Sequence, residues 1–345
     1  MKVAVANAQV PFLYGGAEVL ADSLVAQVRA RGIDAYLIKI PFTWQPSERV
    51  LDHMLAARLL RLGNIDRLIP LKFPAYALPH DNKVVWLLHQ FRQAYDLWGT
   101  PFQDIPDTPD GERIRTTIKY GDETYLAEAR RLYTNSEVTR DRLKRFNDID
   151  AEVLYPPLHR PEIYSCRPAL DYVFCPSRIC AAKRQTLIVE AMAHVRRSVR
   201  LVLAGPPDTP GDLRNLEQTV RRLGLGDRVQ IMPQWITEEQ KAELFADALG
   251  CVYIPVDEDS YGYVTLESFQ ARKPVITCSD SGGTRTVVID GETGWVVPPD
   301  ASAIGAAINQ MTDDRTRAQA LGDAGHEHVH TLGISWDRVI TELIR

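Results

Sequence analysis

Arg178 and Lys183 stand five residues apart in Cys175-Pro-Ser-Arg178-Ile-Cys-Ala-Ala-Lys183-Arg184, placing two cations across a turn and into the start of a predicted helix. Cations at a helix N-terminus oppose its dipole, at a cost of about a few tenths of a kcal/mol, so an anion such as a bound diphosphate would compensate them; a solvated basic turn is the plainer alternative. A second candidate is Asp257-Glu258-Asp259-Ser260-Tyr261-Gly262-Tyr263-Val264-Thr265-Leu266-Glu267. Gly262 permits an irregular loop, and Asp259 and Glu267 lie eight positions apart, one in the loop and one about a turn into a helix. One carboxylate can then meet a sugar hydroxyl and the other a ribose diol, while the N–H groups of Tyr261, Gly262, Tyr263 and Val264 stay open for phosphate. The bland reading makes Asp259 a helix cap and Glu267 a helix-face carboxylate. A third candidate is the paired-glycine turn Gly15-Gly16-Ala17-Glu18, which can bring backbone N–H groups to a phosphate or simply start a helix. It is not G-x-G-x-x-G, which counts against an NAD enzyme.

Short apolar runs alternate with helical periods along the whole chain, the signature of βαβ units around parallel sheets. The strands predicted in the first half are 2–8, 35–40, 67–72, 83–88 and 131–135, with helices such as 18–31 and 48–62 between them. Residues 152–168 hold Pro156, Pro157, Pro161 and Pro168 and read as an interdomain connection. A second series follows, with strands over 172–175, 200–204, 229–232, 251–255, 275–278 and 294–297. Its predicted helices run over 183–195, 213–223, 238–248 and 264–271. The expectation is an α/β protein of two doubly wound Rossmann-like domains, 1–160 and 161–332, facing a cleft. Ligands of such sheets bind beyond the carboxyl ends of the strands, where the three turns lie.

With 345 residues, 45% hydrophobic and 25% charged, the chain is long enough for two cores. A net charge of −5, with no polybasic block, removes the electrostatic footprint of a nucleic-acid binder. Cys166, Cys175, Cys180, Cys251 and Cys278 are odd in number and form no C-x-x-C pair, which suggests free thiols in a reducing compartment. No stretch nears the roughly 20 apolar residues of a membrane span, and the N-terminus reads as a strand rather than a signal peptide, so the expected location is cytoplasmic.

In order and spacing across both halves, the chain resembles glycosyltransferase family 4, the retaining nucleotide-sugar transferases of GT-B fold. The resemblance rests on Gly15-Gly16-Ala17-Glu18, His89 after a strand, Thr134-Asn-Ser136 before a helix, Arg178 with Lys183, and Leu201-Val-Leu-Ala-Gly205. It continues with the Asp259 to Glu267 segment and its sequel Ser268-Phe-Gln-Ala-Arg-Lys-Pro274-Val-Ile, Gly282-Gly283, and Asp290-Gly-Glu-Thr-Gly294-Trp. It implies an acceptor-binding first half and a donor-binding second half, with the helix of 333–345, which holds Trp336, packing back toward the first. Arg178 and Lys183 would then bind the donor diphosphate, Glu267 the ribose, and Asp259 with the loop amides the transferred sugar. His89 would lie beside that sugar from the opposite domain.

Departures from the family pattern are Asp259 and Thr286, where Glu is usual, and Pro233-Gln234-Trp235 at the turn near the base. No cofactor is implied beyond a UDP- or GDP-linked sugar as co-substrate, and the acceptor is a glycan, a lipid-linked sugar or a small molecule. No metal is expected, because paired cations can neutralise the leaving diphosphate; Asp257-Glu258-Asp259 and Asp148-Ile-Asp150 each imitate a D-x-D manganese motif equally well. The stripe Val50, Leu51, Met54, Leu55 and Leu59, with Arg49, Arg58 and Arg61 nearby, can rest on an anionic membrane surface, although packing on its own sheet is favoured. His159 reads as a packing residue. The alternatives are a sugar-nucleotide epimerase of the same fold and a catalytically silent partner subunit.

Overall fold

Both faces of the opening strand are apolar, and the computed structural model, which describes every residue except 13, 14, 197 and 259, buries both. The chain divides into two units, Met1–His159 with Ile334–Arg345 and Arg160–Gly333. The first contains β1 (Lys2–Gln9), α1 (Gly16–Ala30), β2 (Asp34–Pro41), α2 (Arg49–Leu59), β3 (Arg67–Pro70) and β4 (Val84–Leu87). It continues through α3 (Pro109–Ala127), β5 (Arg131–Thr134), α4 (Glu137–Asn147) and β6 (Glu152–Val153). The strands pair in parallel in the orders β2-β1-β3 and β4-β5-β6. A bridge between Leu68 and Lys83, and the Leu88 N–H donating to the Leu71 carbonyl at 2.8 Å, join the two sets. Strand order therefore reverses between β1 and β3. On one face Val3 and Val5 pack with Leu20, Leu24 and Val28 of α1; on the other Ala4, Ala6 and Ala8 share a core with Val50 and Met54 of α2. Val50, Met54 and Ala57 bury α2 on its own unit, and Leu55 and Leu59 remain exposed. The stripe thus divides between core and surface.

A buried polar knot holds α3 in place. Asp122, fully buried, accepts hydrogen bonds from Tyr76 Oη at 2.7 Å and Tyr95 Oη at 2.8 Å. Burial pushes its carboxyl up to about 7, against the two hydrogen bonds, which act the other way. The folded state then holds this proton more tightly than the unfolded chain, so its contribution to stability falls as pH rises from about 4 to about 7. Asp122→Asn should remove that slope. Relative to the variant, the wild type is expected to lose on the order of 3 kcal/mol across the interval, read from urea midpoints at pH 4.5 and 7.5. Equal slopes would show that the carboxyl titrates normally.

The second unit runs β7 (Tyr172–Pro176), α5 (Gln185–Ala191), β8 (Arg200–Ala204), α6 (Pro210–Arg222), β9 (Val229–Met232), α7 (Glu238–Asp247) and β10 (Gly250–Val252). Then come α8 (Tyr263–Gln270), β11 (Val275–Cys278), β12 (Gly294–Val297), α9 (Ala301–Asp313) and α10 (Arg315–Thr331). Its sheet is six-stranded and parallel, in the order β12-β11-β10-β7-β8-β9. Counted from β7 this is the Rossmann order, with the reversal between β7 and β10. Val173, Cys175, Leu201, Leu203, Val252 and Ile276 form the sheet side of a core that Ile188, Leu216, Ile304 and Ile308 close from the helices. Cys175, Cys251 and Cys278 are buried and all five thiols are free; burial pushes those of Cys175 and Cys278 up to about 12.

The last helix, α11 (Trp336–Ile344), belongs to the first unit. Its Val339, Ile340 and Leu343 join the core beneath α1, Trp336 Nε1 donates to the Leu158 carbonyl at 2.9 Å, and Ser335 caps its first turn.

Candidate functional site

Where strand order reverses, the loops leaving two adjacent parallel strands part toward opposite faces and leave a crevice at the sheet's carboxyl edge. In the second unit those loops follow β7 and β10, and they carry the residues predicted for chemistry. Lys183 ends a short 3-10 turn, Ala181–Lys183. Its Nζ donates to Tyr253 Oη at 2.8 Å and forms an ion pair with Glu258, so the cation of one loop is held by the other. Tyr253 Oη also donates to Glu258 Oε2 at 2.9 Å. Burial alone would pull the ammonium pKa down, but Tyr253 and Glu258 outweigh it and hold it above the usual lysine range. Lys183 is therefore a fixed positive charge, and a carboxylate of the chain supplies the anion it calls for.

The predicted helix over 183–195 starts later than expected. Arg184 is left-handed, φ 56°, and α5 begins at Gln185, so Lys183 precedes the helix rather than lying in its first turn. The cause is distant in sequence: Arg184 donates to the carbonyls of Ile254 (2.7 Å) and Pro255 (2.8 Å) and twice to Asp280, each at 2.8 Å. Those bonds tie the β7, β10 and β11 loops together. Arg178 takes a different partner from Lys183: it pairs with Asp208 at 2.6 Å, beyond β8, and stays half exposed.

The β10 loop is shaped by two glycines. Gly262, φ +70°, is the N-cap of α8, and a Cβ there would come within 2.5 Å of the Tyr253 ring. Gly282, φ +60°, lies against the loop backbone, where a Cβ would stand 2.5 Å from the Glu258 carbonyl oxygen. Gly283 donates its N–H to that oxygen at 2.9 Å. Among the described residues no side chain caps α8, so its first turn offers backbone N–H groups at Tyr263 and Val264, both half-buried, beside the buried Tyr261. Asp259 lies outside the described residues. Glu267, one turn into α8 and 5% exposed, accepts from Lys241 of α7 at 2.6 Å, and Lys241 also pairs with Glu238 at 2.9 Å. Burial raises the Glu267 carboxyl pKa despite the ammonium beside it. The carboxylate is thus buried against α7 rather than open to solvent.

In the first unit Gly15 precedes α1 with extended backbone, φ −149°, and Gly16 is the first helical residue. Glu18 reaches back and accepts the Gly15 N–H at 3.0 Å, and its other oxygen accepts Lys72 Nζ at 2.9 Å. This amide is thus capped by a carboxylate, in keeping with the reading of the paired glycines as a helix start. His89, just beyond β4, is half-buried, with Nδ1 2.7 Å from the Gln90 carbonyl oxygen. A carbonyl can only accept, so Nδ1 is the donor of this bond. His159 Nδ1 meets Ser23 Oγ at 2.7 Å in the packing of α1.

Among the described residues no three His, Cys, Asp or Glu side chains gather as a metal-binding group, and Asp148 and Asp150 both pair with Lys144. No described helix is long and apolar enough to cross a membrane. Sequence reasoning missed Tyr253, Arg184 and Lys241 as members of the site and read Glu258 only as part of an acidic triplet.

Residues 168–328 match the family described as Glycosyl transferases group 1. D-inositol 3-phosphate glycosyltransferase of Streptomyces avermitilis is 26% identical over 299 residues, 76% of this chain and 63% of the relative. The chain thus spans less than two thirds of that relative's length, and about a third of the like-named protein of Thermomonospora curvata (36%). Among solved structures, sucrose-phosphate synthase from Thermosynechococcus elongatus superposes with a TM-score of 0.78 at 20% identity, covering 99% of this chain and 97% of that one. Anabaena HepE, solved in complex with UDP-glucose, superposes at 0.72 and 14% identity over 99% and 98%. The fold is accordingly α/β with two Rossmann-like units, the GT-B fold.

Proposed function

We propose that the protein is a glycosyltransferase that moves a sugar from a UDP- or GDP-linked donor to a hydroxyl acceptor, with retention of configuration and without a metal. The observation that carries this reading is the position of Lys183 and of the uncapped start of α8 at the carboxyl ends of β7 and β10, where strand order reverses. The family match over 168–328 covers the same loops. A diphosphate would displace Glu258 from Lys183 and draw on Arg178, while the α8 amides take remaining phosphate oxygens or sugar hydroxyls. Glu267 would accept from the ribose hydroxyls. Asp259 would orient the transferred sugar.

In the reaction the bond from the sugar C1 to the β-phosphate oxygen breaks and the acceptor oxygen bonds to C1 on the same face. The acceptor proton passes to the departing phosphate, and the nucleoside diphosphate leaves. Negative charge grows on that phosphate as the sugar becomes oxocarbenium-like, so the fixed cation of Lys183 acts where charge develops. The acceptor is a glycan, a lipid-linked sugar or a small molecule, bound by the first unit.

The test is release of nucleoside diphosphate from a panel of UDP- and GDP-sugars by the purified chain, with chelator present throughout. One donor is expected to turn over, slowly by hydrolysis alone and faster with an acceptor. A product formed from donor alone with the sugar inverted at one carbon would identify an epimerase. Turnover only with added manganese would overturn the metal-free mechanism.

A further inference from the structure

The end of α10 carries a pair of histidines that the donor site does not use. Residues 326–330 read His326-Glu327-His328-Val329-His330, which puts two imidazoles four positions apart on one helix face. A helix bearing His-Glu-x-x-His presents both rings to a single metal ion. Here the two Nε2 atoms lie 3.2 Å apart, with ring centroids 4.6 Å apart and planes crossing at 75°. His326 is half-buried against α8. A Cβ at Gly325 would come within 2.3 Å of the Phe269 ring, so the glycine lets the two helices approach, and His326 Nδ1 donates to the Phe269 carbonyl at 3.2 Å. With Nδ1 as donor, the neutral ring has Nε2 as its acceptor, on the side of His330. His328 has a different neighbour, the Thr286 carbonyl oxygen, 3.5 Å from its Nε2.

We propose that His326 and His330 hold a divalent transition metal ion, zinc above all, between their Nε2 atoms. Two zinc–nitrogen bonds of about 2.0–2.1 Å closing the 3.2 Å gap would meet at about 100°, near the tetrahedral angle. The bond from His326 Nδ1 to a backbone carbonyl is the outer contact that orients a ligating imidazole. Magnesium and calcium take oxygen ligands, so the pair selects against them. Zinc replaces the proton shared by the two nitrogens, and the exposed His330 ring carries its own proton on Nδ1 instead. The surrounding charge suits a cation. His330 lies in the last turn of α10, at the negative end of its dipole, and Arg272, the cation beside His326, is matched by Asp323 at 3.0 Å and Glu327 at 3.9 Å. Among the described residues no third His, Cys, Asp or Glu joins the pair, so water completes the coordination. The ion is a clamp across one turn of α10 and takes no part in the sugar transfer, so the inference stands apart from the glycosyltransferase reading.

The experiment is calorimetric titration of the full chain with zinc chloride at pH 7.5, its thiols kept reduced by a phosphine, in the wild type and in His326→Ala, His330→Ala and His328→Ala. The wild type is expected to bind zinc, with affinity falling at least about tenfold in His326→Ala and in His330→Ala, as when a ligand is lost or loosened, and staying unchanged in His328→Ala. Because the ion is held by the folded helix, saturating zinc should also raise the Tm of the wild type and of His328→Ala, and leave that of the other two variants where it was. His330 is exposed, so His330→Ala decides the matter if His326→Ala, which gives up the bond to Phe269, fails to fold. No zinc binding by the wild type, equal affinity in the wild type and His330→Ala, or an equal loss in His328→Ala would overturn the site.

Discussion

Lys183→Ala is expected to lower kcat/KM for the donor by about 10²- to 10³-fold, the effect of removing one preorganised group aimed at developing charge. The ammonium is largely buried and held charged by Glu258 and Tyr253, so it needs no reorganisation beyond exchanging one anion for another. Lys183→Arg should recover little, because a planar fork cannot occupy the space of a compact ammonium between the Tyr253 ring and Glu258. Removing Lys183 also leaves the Glu258 carboxylate without its cation, so part of the effect can be thermal. Circular-dichroism melting of the variant separates the two, and activity is compared well below its Tm. Near-native turnover in a folded Lys183→Ala protein would defeat the assignment.

If Glu267 holds the ribose as proposed, Glu267→Ala is expected to raise the KM for the nucleotide sugar by about 100-fold with a smaller change in kcat, because that contact would be made in ground state and transition state alike. The fold should tolerate it, since Lys241 keeps Glu238 as a partner and no buried cation is orphaned. The pH dependence gives an independent check. Burial raises the Glu267 carboxyl pKa, so protonation sets in at higher pH than for an ordinary glutamate and blocks it as an acceptor for ribose hydroxyls. KM should therefore climb as pH falls toward that raised pKa, and Glu267→Gln should flatten the climb. A KM unchanged in both variants would return Glu267 to a purely structural part.

Alternation of apolar runs with helical periods was enough to place every strand but β6, because parallel strands buried on two faces read as continuous apolar segments, whereas Glu152–Val153 is only two residues long and fell in the stretch read as an interdomain connection. Neighbour relations were not legible: nothing local shows that β10 rather than β8 faces β7 across the reversal. For the same reason the partner of Lys183 was hidden, as Glu258 lies 75 residues away and comes into reach only through that sheet order. The left-handed Arg184 had no local signal either, since its conformation is imposed by carbonyls and a carboxylate from two other loops. The Gly15 turn is a different case. Glu18, three residues after the Gly15 N-cap, reaches back to the Gly15 N–H, half of a capping box whose usual Ser or Thr is replaced by glycine.

The central claim is that the second unit grips a diphosphate through Lys183 and Arg178. Calorimetric titration of the chain with UDP and UMP, and with GDP and GMP, tests it most directly. For one base the diphosphate should bind at least about tenfold more tightly than the monophosphate, and that increment should vanish when Lys183 and Arg178 are both replaced by alanine. Equal affinity for mono- and diphosphate, or an increment that survives the double replacement, would contradict it.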